Sequence, residues 1–149
     1  MSRDHGSIGD RIYSRSMRRV VLLLVAAAVL AGCGARTSKP FTAAGTIACL
    51  KKQGFTHVSS SPSKVGFIAG FAANGGLVGT PASGNEVTIA FGKDEADVPS
   101  TEKAFKLAAP KRVRPHISDI TRSSRNAVIV WTTSPSGEDE QAVEGCLAP

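Results

Sequence analysis

Val20 to Ala31 is an unbroken apolar run, and it limits what the rest of the chain can fold into. The run is twelve residues long and follows Arg11, Arg15, Arg18 and Arg19. A helix that crosses a membrane needs about 20 apolar residues to cover roughly 30 Å of hydrocarbon. At the helical rise of about 1.5 Å per residue, this run reaches only about 18 Å. The apolar core of an export signal is about 7–15 residues long with a basic flank before it. The run fits that description rather than a permanent span. The chain up to the end of this run is therefore expected to be an address label, and the residues after it to hold the folded structure.

The run ends in Leu30-Ala31-Gly32-Cys33. These four residues, placed directly after an apolar core, resemble the lipobox of bacterial lipoproteins. In that family the cysteine sulfur receives a diacylglycerol and the preceding peptide bond is cut. The resemblance implies cleavage between Gly32 and Cys33 and lipid on Cys33. It also implies a place on the extracytoplasmic face of the cell membrane. A single acyl chain holds a protein only marginally, whereas two anchor it stably. Residues 33–40 then form the lipidated cysteine and a tether. Gly34 to Pro40 is polar, lacks apolar periodicity and ends in proline. The bland alternative is a buried helix with a chance cysteine. Residues 1–16 look unlike a compact leader, because they include Asp4, His5 and Asp10. From Met17 the chain reads Met-Arg-Arg and then the apolar run, so Met17 is expected to be the start, or residues 1–16 a dispensable extension.

Within this reading, residues 41–149 form one domain, long enough for a single core. The leader carries five arginines and two aspartates, half of the chain's net charge of +6. No nucleic-acid partner is implied. Lipid on Cys33 leaves Cys49 and Cys146, and an exported chain meets an oxidising compartment. The resemblance therefore implies a Cys49–Cys146 disulfide, closing a loop of roughly 100 residues that the chain-entropy view values at about 4.7 kcal/mol. Two separate buried thiols are the alternative. No metal site is expected, since no further Cys or His stands at ligand spacing.

Apolar periodicity divides the domain. Ala43, Ile47 and Leu50 recur at helical spacing over 42–53, with Lys51 and Lys52 in the last turn and Gly54 after it. Phe55 to Ser60 reads as a short strand. Lys64 to Ile68 reads as a strand, and Ala69 to Asn85, diluted by glycines, as a mobile loop. Glu86 to Phe91 alternates cleanly, with Val87, Ile89 and Phe91 on one side. Asp94 to Ala109 reads as a helix with an acidic first turn, its regular part starting near Val98 because of Pro99. Lys111 to His116 is a basic linker, His116 to Arg122 an irregular strand and Ser123 to Asn126 a turn. Ala127 to Thr133 is apolar on both faces, as a central strand is. Ser136 opens a last helix whose buried stripe is Ala142, Val143, Cys146 and Leu147. The sum is an α+β domain: a small antiparallel sheet of about 3–5 strands, three helices packed on one face, and the two ends joined by the disulfide.

Catalytic motifs are absent from the sequence. His57 and His116 sit in no base–nucleophile pattern, and there is no G-x-S-x-G, H-E-x-x-H or phosphate loop. Asp94, Glu95 and Asp97 read as a helix-start turn rather than an acid/base pair, and Trp131 as core. No enzyme activity and no cofactor are expected; a hydrolase with a dispersed site is the alternative. Lys111, Arg112, Arg114, Arg122 and Arg125 are candidates for contact with an anionic surface, against the plain reading of a solvated linker and turn. The helix–strand order and the two cysteine positions resemble short bacterial lipoproteins of no assigned activity, which transfers no active site. Two functions follow as expectations. One is a non-enzymatic binding or interaction module working on an envelope protein. The other is a small apolar-ligand or lipid carrier, with residues 64–85 as a lid over Phe91, Phe105 and Trp131.

Overall fold

The computed structural model describes residues 38–149; the leader, Gly32 and Cys33 lie outside the described residues. Five strands form one antiparallel sheet: β1 Thr56–Ser59, β2 Gly76–Thr80, β3 Val87–Phe91, β4 Thr121–Ser124 and β5 Ala127–Trp131. Their order is β1-β2-β3-β5-β4. Among the described residues four α-helices join them: α1 Ala43–Lys52, α2 Pro62–Gly70, α3 Val98–Ala108 and α4 Gly137–Glu144. Two 3₁₀ segments, Glu95–Asp97 and Arg114–Ile120, flank α3. The expected α+β class with an antiparallel sheet is what forms, with one α-helix more than expected.

Period-two alternation decides how the helices are shared out. Val87, Ile89 and Phe91 of β3 stand opposite Trp131, Ile129 and Ala127 of β5. These six are buried in one cluster with Leu77, with Ala43 and Leu50 of α1, and with Val143 and Cys146 at the end of the chain. Each large apolar side chain taken fully out of water here contributes about 1.5–3 kcal/mol. The intervening residues face the other way. Val78 and Ala90 cluster with Val65 and Ala69 of α2, and Phe105 of α3 packs against them. Helices therefore cover both faces of the sheet, α1 and α4 on one and α2 and α3 on the other. This corrects the expectation of helices on one face alone. The cause is that β2, β3 and β5 carry apolar residues on both sides and need two covers.

Residues 64–85 are the second correction. They are not a strand and a loop but most of α2 followed by β2. Glycine disfavours a helix, and Gly66 does break this one: its φ of 78° and ψ of 170° kink α2 into two short turns. Pro62 starts the first turn, and burial of Val65 and Ala69 holds both. In β2 the glycines mark close approach. A Cβ on Gly76 would stand 2.4 Å from the Ala69 carbonyl oxygen. Gly76→Ala is accordingly expected to cost about 1–3 kcal/mol of unfolding free energy in urea denaturation, as overpacking does. Gly137→Ala, where a Cβ would meet nothing within 4 Å, is the control and is expected to leave the urea midpoint unchanged or slightly raised.

The third correction concerns residues 114–124. Arg114–Ile120 is a 3₁₀ helix, and the edge strand is Thr121–Ser124 rather than 116–122. The spacing of Ile117 and Ile120, out of phase for a strand, is the three-residue repeat of that helix. The expected turn at Ser123–Asn126 narrows to Arg125 and Asn126, between β4 and β5.

The two ends of the domain meet beside α1. Thr42 caps that helix by accepting from the Gly45 N–H at 2.9 Å, and its own N–H donates to the Ala148 carbonyl. Cys49 and Cys146 are disulfide-bonded across 97 positions of sequence. Residues 39–41 are held by the β4–β5 turn. The buried Asn126 side chain accepts from the Phe41 N–H at 2.7 Å and donates to the Phe41 carbonyl at 2.9 Å and the Gly92 carbonyl at 2.7 Å. Arg125 lies 4.1 Å over the Phe41 ring and donates to the Lys39 carbonyl.

Candidate functional site

The sheet face under α2 and α3 is not fully covered. α2 leans over β2 and β3, whereas α3 reaches across to β5. Between them a groove of about 450 Å³ runs over Thr88, Val130 and Thr132. One wall is the middle of α2, where Val65 is buried before the Gly66 kink and Phe67 and Ile68 follow it. The other wall is Phe105 and Ala108 of α3 with Val113, Ile117 and Ile120 beyond it. The lining is almost wholly aliphatic and aromatic. Phe67 and Phe71 are 79% and 78% exposed, and their rings lie 4.8 Å apart, so part of α2 presents bare aromatic surface.

Of the three aromatics expected to line a pocket, Phe105 does so; Trp131 borders the groove but is buried as core in the cluster on the opposite face of the sheet. Phe91 does not: it faces the opposite cluster, under α1 and α4. The covering element is a kinked helix rather than a glycine-rich loop. Sequence reading missed this wall because Val65, Phe67, Ile68 and Ala69 do not keep one helical phase across the kink. The available signal was Gly66 itself, at the centre of an otherwise apolar run after Ser-Pro-Ser.

The five basic candidates do not form one patch. Arg122 extends from β4 on the face that α4 covers, and its Nη2 pairs with Glu140 at 2.7 Å. Arg125 is engaged with Phe41 and Lys39. Arg112 is exposed beside Lys111. Lys111 and Arg114 are together, and Lys106 of α3 joins them around a hollow of about 400 Å³. The Arg114 Nη2 donates to the Leu107 and Ala109 carbonyls at 3.0 and 3.1 Å, which closes the C-terminal end of α3 with positive charge. A hollow of about 380 Å³ adjoins, with Lys106, Glu102 and Ile117 in its lining.

The acidic turn serves helix initiation. Asp94 caps the first 3₁₀ segment by accepting from the Ala96 N–H at 2.9 Å, and Asp97 accepts from the Lys93 N–H at 2.7 Å. Ser136 caps α4 through the Asp139 N–H at 3.1 Å, and the Asp139 carboxylate accepts from the Ser83 hydroxyl at 2.8 Å. His57 sits at the irregular register of β1 with a φ of 52°. His116 is exposed, 3.6 Å from Asp119. Among the described residues, no group of three or more His, Cys, Asp or Glu is placed to hold a metal ion, and no helix is long and apolar enough to cross a membrane. The chain matches no known protein-family model, and comparison with curated proteins and with solved structures gives no match either.

Proposed function

We propose that this chain is a membrane-anchored extracytoplasmic lipoprotein that binds rather than catalyses, and that its groove takes a small apolar ligand or lipid chain. The apolar groove of about 450 Å³ carries the reading. Sites for small molecules measure about 300–1,000 Å³ and are mostly apolar, with few polar groups. The anchor rests on the Leu30-Ala31-Gly32-Cys33 motif at the end of an apolar core. A protein partner from the envelope is the second reading, and one observation favours it: the exposed Phe67–Phe71 pair, which a partner surface would cover. The recess favours the small ligand, because a flat partner leaves a hollow of that volume empty.

Crosslinking from inside the groove separates the two. A photoreactive amino acid placed at Ile117 in the full-length protein, irradiated in living cells, is expected to capture a small apolar molecule that mass spectrometry reads as an adduct on the peptide. Capture of a protein with no small adduct overturns the carrier reading in favour of the interaction module.

A further inference from the structure

The groove does not end in solvent alone. Ile117 lines it and also lines the hollow bounded by Lys106, Lys111 and Arg114. An apolar channel thus adjoins a cationic hollow through one shared side chain. Among the described residues the ion pairs are His116–Asp119 and Arg122–Glu140, so none of these three cations has a carboxylate partner. Glu102, the acid nearest in lining, accepts a hydrogen bond from the Ser123 hydroxyl on β4. The Arg114 Nε is buried and has no hydrogen-bond partner. A buried donor without a partner is costly, and a cluster of like charges is disfavoured until an anion joins it.

Building on the apolar-ligand reading, we propose that the ligand is an anionic amphiphile. Its hydrocarbon chain lies under α2, and its carboxylate or phosphate head group rests on Lys106, Lys111 and Arg114. Each part of such a molecule meets its complement. The chain leaves water for an aliphatic and aromatic lining. The head gains charge-assisted hydrogen bonds from Lys106 and Lys111, beside the charge of the Arg114 guanidinium, whose Nη2 already holds the Leu107 and Ala109 carbonyls. A neutral lipid leaves the cations unmatched, and a small inorganic anion leaves the groove empty.

Photoaffinity labelling of membranes that carry the full-length protein tests this. The probes are a diazirine-bearing long-chain fatty acid and the alcohol of the same chain. The acid is expected to label peptides from 65–68 or 113–120 at least about tenfold more strongly than the alcohol, from the attraction of several surface cations. Lys106→Glu with Lys111→Glu, both at exposed positions, is expected to erase that preference while labelling by the alcohol persists, which also reports that the variant is folded. Labelling of the same peptides by a photoreactive phosphatidylglycerol in place of the free acid, with the same loss in the variant, supports the proposal and names a membrane lipid as the source. Equal labelling by acid and alcohol, or acid labelling that survives charge reversal, overturns the head-group assignment and leaves the apolar groove standing. Absence of label from the groove peptides with every probe overturns both.

Discussion

Cys33→Ser is expected to abolish acylation of the protein completely. Cells fed an alkyne-bearing fatty acid would label the parent chain through Cys33, and the variant would show no label. The proposed lipid attaches to one sulfur, so the effect is all or none. The label is the decisive readout, because a leader that stays uncut can keep an unacylated chain on the membrane through its twelve apolar residues. An unlabelled parent that fractionates with membranes as the variant does would sink the anchor proposal. Two or more acyl chains are needed for stable attachment, so the mass of the parent's amino-terminal peptide is expected to show at least two.

The second large effect concerns stability. Replacing both Cys49 and Cys146 with serine is expected to lower the unfolding free energy by about 3–5 kcal/mol. The bridge closes a loop of 97 positions, and long loops gain most from closure. For a domain of this size the thermal midpoint would fall by about 10–25 °C, measurable by circular dichroism. Removing both sulfurs avoids leaving an unpaired thiol, and Cys146, 2% exposed, packs in the main core beside Val143, so serine there adds a polar group to an apolar site. A midpoint that moves by less than about 3 °C would show that the hydrogen bond between Thr42 and Ala148 and that from the Ala148 N–H to the Thr46 hydroxyl hold the domain ends together without the bridge.

The parts of this fold that could be read from sequence are those where one physical signal dominates. In Val87–Phe91 and Ala127–Trp131, apolar patterning marks strands directly, and the doubly apolar β5 does lie inside the sheet, between β3 and β4. α4 carries the Ser136 cap that sequence spacing marks. The 62–80 stretch was not legible because its glycines act in opposite ways. Gly66 breaks a helix that packing holds together, and Gly76 permits a strand to touch Ala69. The groove was only half legible. Phe105 lines it as expected, whereas Trp131 packs as core on the other face; the wall formed by α2 depends on a kink and the cover on the second sheet face, neither of which has a local sequence pattern. The basic residues failed as a group because charge in sequence does not report partners. Arg122 finds Glu140, Arg125 finds Phe41, and Lys106, from a different element, completes the cluster that remains.

If Cys33 is anchored as proposed, the grip of Arg125 and Asn126 on residues 39–41 would set a working height. On the proposed anchor, only six residue steps separate Cys33 from Lys39. Stretched out, they span about 20 Å. A body of this length has a radius of gyration of about 13 Å. The domain can then stray from the bilayer surface by less than its own width, so it would collect and release cargo within that thin zone rather than ferry it across the envelope.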